Sequence, residues 1–226
     1  IKTKAQLEYE CATMLANGAK CSIGDQMHPR GRLEEAVYQL IGEVYRGVME
    51  KEPWCRGAEP YVQVGVLMMR GEYGELERND SNQGAVKMLL ELKHQFNVID
   101  PWEDFSKYEL LILPDTGEID RETSVKLEEY VRSGGAIIIS HEATLDKEAS
   151  SFLCPDVGVE YVEASEYQPD YIHLGNEISD GIPRLDLVMY ERGVYVKPLE
   201  GTEILAKIYN PYFNRTFRTF TSHRHA

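Results

Sequence analysis

Residues 108–142 of the chain read "YELLILPDTGEIDRETSVKLEEYVRSGGAIIISHE". The run LLIL is short, apolar and bounded by polar residues, which is typical of a buried strand. Residues 120–135 have the spacing of an amphipathic helix that ends in two glycines, and the run AIII that follows consists almost entirely of the β-branched residues that strands prefer. A strand, a helix and a second strand in this order predict parallel strands joined by a right-handed crossover.

The same alternation extends towards the N-terminus. The run YVQVGVLMM (residues 61–69) predicts a strand, FNVID (residues 96–100) predicts another, and between them Ala85, Met88, Leu89 and Leu92 form one face of a helix. Strands that alternate with helices indicate an α/β fold with a doubly wound parallel sheet. Beyond residue 153 the pattern is less regular, and the candidate strands are VGVEYVEA, YIHLG, LVMYERGVYVKP and TEILAKIY.

The first sixty residues have a different organisation. An amphipathic helix is predicted over residues 3–17, a short buried strand over AKCSIGD (residues 19–25), and a second helix from residue 34 to about residue 49, with a stop at Pro53. A single buried strand needs neighbours on both edges, so we interpret this segment as the end of a larger α/β domain. Without the rest of such a domain, apolar helix faces would be exposed. They would drive association or be covered by another part of the chain, and they lie around Leu7, Cys11, Val37 and Ile41.

The composition excludes several classes of function. A formal net charge of -14 argues against nucleic acid or anionic lipid as a partner, because both attract an excess of Lys and Arg. No apolar run approaches the roughly 20 residues that a membrane span requires. The chain has four widely spaced cysteines and no CxxC pair: Cys11, Cys21, Cys55 and Cys154. This pattern fits reduced thiols better than a secreted disulfide scaffold, and it favours a cytoplasmic location.

A polar sequence follows the predicted strand at residues 19–25. Ligands bind at the carboxyl ends of strands in parallel sheets and barrels, and here the chain offers a carboxylate, an amide, an imidazole and a guanidinium: Asp25, Gln26, His28 and Arg30. This set suits sugar hydroxyls or a carboxylated ligand. The same residues are equally compatible with a polar turn that has no binding role. In that case Asp25 would act as a capping residue and residues 29–31 would bend the chain. One His and one Asp are too few to hold a metal, so no metal and no cofactor are expected.

The end of the AIII strand raises the question of a second site. Amidotransferase-type enzymes hold a Cys or Ser nucleophile on a sharp strand-to-helix turn, the elbow, which is flanked by small residues. Here the sequence is IIISHEAT: Ser140 and His141 are neighbours whose side chains diverge, and Glu142 stands where a small residue is expected. We therefore expect an empty elbow. The alternative is an amidotransferase-like hydrolase or small-ligand-binding module that uses Ser140, His141 and Glu142 near residues 70–80, and a pure interaction module is a third possibility.

These segments together resemble one group of proteins. Residues 17–55, including GDQMHPRG, resemble the last strand–loop–helix of the (β/α)8 barrel in bacterial glycoside hydrolases that are related to the family 42 β-galactosidases and are often labelled as α-L-fucosidases. Residues 108–142, including YVRSGG, resemble the β-galactosidase trimerisation domain of those proteins. That domain is similar in fold to class I glutamine amidotransferases but lacks their chemistry. Residues 210–225 are similar to the connection into a C-terminal β domain.

The resemblance carries specific expectations. It implies a barrel remnant at residues 1–58, a flavodoxin-like three-layer trimerisation domain at residues 59–210, and a linker at residues 211–226. It implies a homo-oligomer, with a trimer as one possibility, and a parent enzyme that acts on carbohydrate. The second domain would cover a neighbouring subunit's active site or support its own barrel. Both catalytic carboxylates would lie upstream, so no catalytic residue is assigned and whether this chain is itself an enzyme stays open. Asp25, Gln26, His28 and Arg30 would line the sugar-facing end of the last barrel strand.

Overall fold

The computed structural model describes residues 2–26, 28–68, 80–115, 119–146, 151–154 and 157–219. The chain divides into two compact units, Ile1–Tyr61 and Val62–Ala226, which we call unit 1 and unit 2. Among the described residues, no helix is both long enough and apolar enough to cross a membrane.

Unit 1 is built around a pair of helices, α1 (Lys4–Ala16) and α2 (Glu35–Cys55). Helix α1 begins with a capping box, in which the Thr3 amide donates to Gln6 Oε1 at 2.8 Å and the Gln6 amide donates to Thr3 Oγ1 at 3.3 Å. The two helices pack through a buried cluster at their contact, and this cluster consists of Leu7, Cys11 and Val44.

Two predictions for unit 1 require correction. Helix α2 continues past Pro53 to Cys55, because a proline in the last turn frees only one carbonyl near an exposed helix end. Residues 19–26 do not form the predicted buried strand. The described residues of unit 1 contain no other strand to pair with, so this segment stays irregular, with Cys21 and Ile23 half-buried against the helix pair.

Unit 2 contains the predicted parallel sheet. Its strands are β1 (Val64–Leu67), β2 (Phe96–Ile99), β3 (Leu110–Leu113) and β4 (Ala136–Ile139), in the spatial order β2-β1-β3-β4. Every neighbouring pair is parallel. Helix α3 (Asp80–Glu91) precedes β2, and α4 (Arg121–Arg132) joins β3 to β4. The predicted α/β class with a parallel sheet is confirmed.

The two faces of this sheet are covered by different elements. Helix α4 and a short 3-10 turn at Phe105–Lys107 cover one face with a large apolar cluster that includes Leu67, Leu111 and Leu127. On the other face, Ala85 and Leu89 of α3 pack on β1. Met88 and Leu92 were expected on the same buried side of this helix but are exposed. Met88 lies outside the narrow contact that α3 makes, and Leu92 lies just beyond the end of α3.

The remainder of unit 2 is antiparallel. Strand β5 (Val159–Ala164) pairs with β8 (Val194–Pro198), and β6 (Asp170–Leu174) lies between β7 (Leu187–Met189) and β9 (Ala206–Tyr209). Each of the four candidate segments beyond residue 153 therefore contains at least one strand.

Candidate functional site

The polar sequence of unit 1 forms an exposed loop between α1 and α2. Asp25, Gln26, His28 and Arg30 are all exposed, and two hydrogen bonds join neighbouring residues within the loop. The Gln26 amide donates to Asp25 Oδ1 at 2.8 Å, and the Arg30 amide donates to His28 Nδ1 at 3.2 Å. These bonds shape a turn and leave the outer ends of the side chains open to solvent. The structure thus brings the four residues together in one loop, and their role in sugar binding stays a prediction.

A second polar cluster lies at the carboxyl ends of β3 and β4. Asp115 follows β3, Ser140 follows β4, and Ser81 stands in the first turn of α3. Ser140 Oγ donates to Asp115 Oδ1 at 2.5 Å, and Ser81 Oγ donates to Asp115 Oδ2 at 2.7 Å. The Asp115 amide in turn donates to Ser140 Oγ at 3.1 Å. The cluster, which we call the Asp115 lock, ties two strand ends to the start of a helix.

The electrostatics of the Asp115 lock favour an ionised carboxylate. Burial acts to raise the pKa of Asp115, but hydrogen bonds from Ser140 and Ser81 act in the opposite direction and the pKa is lowered overall. The Ser140 hydroxyl gives its proton to a carboxylate and accepts a backbone N–H at the same time. Through these two bonds the Ser140 side chain links the end of β4 to the end of β3.

The strained residue at the end of β4 is His141, which has φ 51°, and not Ser140. A backbone in the left-handed region is uncommon for residues other than glycine. Nε2 of His141 lies 2.6 Å from the carbonyl oxygen of Arg192, so this nitrogen donates to the backbone. The elbow hypothesis required Ser140 in the strained position with a base in reach. The strained position falls on His141 instead, and the carboxylate within reach of Ser140 is that of Asp115. Residues 70–79, the other part of that hypothesis, lie outside the described residues.

An open groove of about 520 Å³ runs beside β4. Its lining is mainly apolar and includes Ile137, Ile139, Phe152, Val159 and Val196. Such a lining suits contacts with other apolar groups rather than chemistry on a polar substrate.

One pair of side chains was missed by sequence reasoning. Nδ1 of His173 lies 2.7 Å from Oδ1 of Asp186, and the Asp186 side chain is only 2% exposed whereas that of His173 is 52% exposed. The ring of Tyr209 lies 5.5 Å from the imidazole. A buried carboxylate that accepts from Nδ1–H fixes the ring and leaves Nε2 facing outward. Strand alternation in YIHLG could have indicated that His173 faces outward, but its partner lies 13 residues away in sequence.

The described residues contain no group of three or more His, Cys, Asp or Glu that could hold a metal ion. The cysteines are free thiols, and burial raises the pKa of Cys11. Cys21 Sγ donates to the Cys11 carbonyl oxygen at 3.5 Å, which makes this pair part of the helix packing in unit 1.

The chain is similar to a family model and to several solved structures of glycoside hydrolases. Residues 86–152 match the family model described as the β-galactosidase trimerisation domain. The structure is similar to α-L-fucosidase isoenzyme 2 from Paenibacillus thiaminolyticus, with a TM-score of 0.87 and 35% identity over 100% of this chain and 34% of that chain. No curated protein matches the sequence.

Two β-galactosidases share the fold at lower identity. A catalytic mutant of the GH42 enzyme Gan42B from G. stearothermophilus aligns with a TM-score of 0.72 and 17% identity over 96% of this chain and 35% of that chain. The cold-adapted enzyme from Rahnella sp. aligns with a TM-score of 0.72 and 16% identity over 92% of this chain and 36% of that chain. The chain therefore spans about a third of the length of each of these three proteins.

Proposed function

We propose that the chain is a non-catalytic oligomerisation and support region of a glycoside hydrolase, because residues 86–152 match the β-galactosidase trimerisation domain and the whole chain is similar to part of an α-L-fucosidase. The single observation that carries this proposal is the match of residues 86–152 to the trimerisation family. This segment runs from within α3 to beyond β4 and thus includes most of the parallel sheet. Its partner is a second copy of the chain, and the parent enzyme acts on carbohydrate.

The finer architecture belongs to the same proposal. Residues 59–210 form a flavodoxin-like three-layer sandwich, which is supported by the parallel order β2-β1-β3-β4 with helices on both faces. Residues 1–58 are the last strand–helix unit of a (β/α)8 barrel, and residues 211–226 lead towards a further domain. The barrel assignment rests on the resemblance of residues 17–55 in sequence, while residues 19–26 follow an irregular course beside the helix pair.

On this interpretation the polar loop of unit 1 is one wall of a sugar pocket. Asp25, Gln26, His28 and Arg30 are exposed side chains that can donate and accept hydrogen bonds, as sugar hydroxyls require. The catalytic carboxylates lie upstream in the parent enzyme, and no residue of this chain receives a catalytic role.

The alternative is an amidotransferase-like hydrolase or a small-ligand-binding module at the strand ends of unit 2, and it has less support. The Ser140 proton is donated to Asp115 and His141 Nε2 is engaged by the Arg192 carbonyl oxygen. His141 is thus held by the backbone rather than placed as a base for Ser140, and the strained turn falls on His141.

Light scattering on the purified chain tests the proposal, together with an assay of nitrophenyl glycosides. We expect a compact oligomer that does not hydrolyse the glycosides. The control variant is Asp25→Ala, which should change neither result. Hydrolysis that is lost in Asp25→Ala would contradict the proposal, since it would put an active site within this chain. A monomer at all concentrations would contradict the oligomerisation function.

A further inference from the structure

The α3-covered face of the parallel sheet is buried at one strand and exposed at another. On this face, Val66 of β1 pairs in register with Ile112 of β3, and Ile112 pairs with Ile138 of β4. Val66 is fully buried, Ile112 is partly buried, and Ile138 is 51% exposed. The protection of apolar side chains thus decreases from β1 to β4 across three adjacent strands.

A second row of the same face repeats the gradient. Val64 of β1 pairs with Leu110 of β3, which pairs with Ala136 of β4. Val64 is buried, Leu110 is partly buried and Ala136 is exposed. Helix α3 accounts for this pattern. Its buried residues Ala85 and Leu89 pack with the β1 residues in one cluster, the β3 residues lie partly buried against that cluster, and no β4 residue belongs to it. We call the less protected residues the open strip: Leu110, Ile112, Ala136 and Ile138.

An open strip of this kind is unusual for a parallel sheet. Parallel sheets occur almost only with both faces covered, and their strands are apolar on both sides for this reason. The side chains of the open strip are all apolar, so water gains no hydrogen bond from them. A surface with this composition and position is suited to be covered by another apolar surface.

Two observations favour a second copy of this chain as the cover. The open strip lies within residues 86–152, which match the trimerisation family. The chain also carries a net charge of -14, so two copies repel each other wherever their charged surfaces meet. Contact between copies is least opposed at an uncharged apolar surface, and the open strip is one.

We propose that the open strip is a contact surface for a second copy of this chain. The inference rests on the proposed oligomerisation function and adds the location of the contact. In a closed ring of three copies, each interface joins two different surfaces, so the open strip of one copy meets another surface of the next. A substitution in the strip then alters every interface of the ring.

The test compares Ile138→Glu with a matched control, Val162→Glu. Val162 is also β-branched, lies in a strand and is 55% exposed, but it belongs to β5, outside the matched residues. The mass of each variant of the full chain is measured by light scattering over a range of concentrations, with thermal unfolding of each variant in parallel. We expect Ile138→Glu to weaken association by about tenfold or more, because a carboxylate would be buried without a partner at the contact. Val162→Glu should associate like the unmodified chain.

The possible outcomes separate the inference from the function on which it rests. If the unmodified chain and Ile138→Glu form the same oligomer with equal affinity, the contact lies elsewhere and the inference is wrong, while the oligomerisation function stands. If the unmodified chain is monomeric at every concentration, both are wrong. If Ile138→Glu stays associated but unfolds at a much lower temperature, another part of the same chain covers the open strip, and the inference is again wrong.

Discussion

The two faces of the parallel sheet differ in how completely they are covered. On the α4 side, Leu111 and Leu127 are fully buried in a cluster that extends across β1, β2 and β3. On the α3 side, burial is complete only at β1, and Ile138 of β4 is half exposed. The difference indicates that the α4 side carries most of the apolar packing within the chain, whereas the α3 side leaves apolar surface exposed at β4.

The largest expected effect comes from neighbouring leucines on β3. Leu111 lies on the α4 side and is fully buried, and Leu110 lies on the α3 side and is partly buried. We expect Leu111→Ala to lower the free energy of unfolding by about 2–5 kcal/mol, since it removes buried atoms and leaves a cavity. Leu110→Ala should cost only about 1–2 kcal/mol, because less surface is removed from contact.

Urea unfolding at several protein concentrations measures both variants, so that any contribution of association to the Leu110→Ala result appears as a dependence on concentration. Equal losses for the two leucines would show that the α3 side is as completely covered as the α4 side, and the comparison between the faces would fail.

The Asp115 lock provides the second prediction, because it fastens the start of α3 to the ends of β3 and β4. Asp115→Asn removes the charge that accepts hydrogen bonds from Ser140 and Ser81. At pH 7 we expect it to destabilise the chain by about 1–3 kcal/mol. The pKa of Asp115 is lowered by folding, so its ionised form stabilises the folded state above the ordinary aspartate pKa, and this contribution is lost as the pH falls through the lowered value.

The measurement is the pH dependence of the free energy of unfolding from pH 7 to pH 3. The difference between the unmodified chain and Asp115→Asn should decrease as the pH falls. The exposed Asp180 gives the control, since Asp180→Asn should change stability little at any pH. A difference for Asp115→Asn that stays constant down to pH 3 would mean that the lock does not depend on an ionised carboxylate.

The sequence predicted those elements whose signals are local. The strands around α4 were recognised from apolar runs, and the helix ends were marked by Asp120, which caps the Thr123 amide, and by Gly134, which has a positive φ. The strand expected at residues 19–25 was wrong, because an apolar run does not reveal whether a partner strand exists in the same chain. The exposure of Met88 and Leu92 was missed because helical spacing defines a face but not what covers it.

The residues of the two polar clusters differ in the same respect: one cluster is local in sequence and the other is assembled by the fold. Asp25, Gln26, His28 and Arg30 are close in sequence, so their grouping in one loop could be predicted. Asp115 and Ser140 are 25 residues apart and Ser81 is 34 residues from Asp115. The parallel order of β3 and β4 brings these side chains together, and neither strand order nor register can be read from spacing. The positive φ of His141 was missed for a similar reason, since the turn is imposed by tertiary structure.

The smallest expected effect tests the outer edge of the α3 side. Val98 of β2 pairs in register with Val66 of β1, but Val98 is 48% exposed whereas Val66 is fully buried. Threonine has nearly the shape of valine, so the cost of Val→Thr depends mainly on whether the new hydroxyl is buried. Val66→Thr should destabilise by about 1–3 kcal/mol, as expected for a buried hydroxyl without a partner. Val98→Thr should change the free energy of unfolding by no more than about 0.5 kcal/mol.

The two valine variants also define how far the open part of the α3 side extends. A negligible cost for Val98→Thr means that α3 protects β1 alone and that apolar surface is left at β2 as well as at β4. A cost similar to that of Val66→Thr would mean that the β2 edge is covered in solution. Val98, like Ile138, lies within the residues matched by the trimerisation family. If Val98→Thr lowers the free energy of unfolding only at concentrations where the chain associates, β2 belongs to the contact between copies.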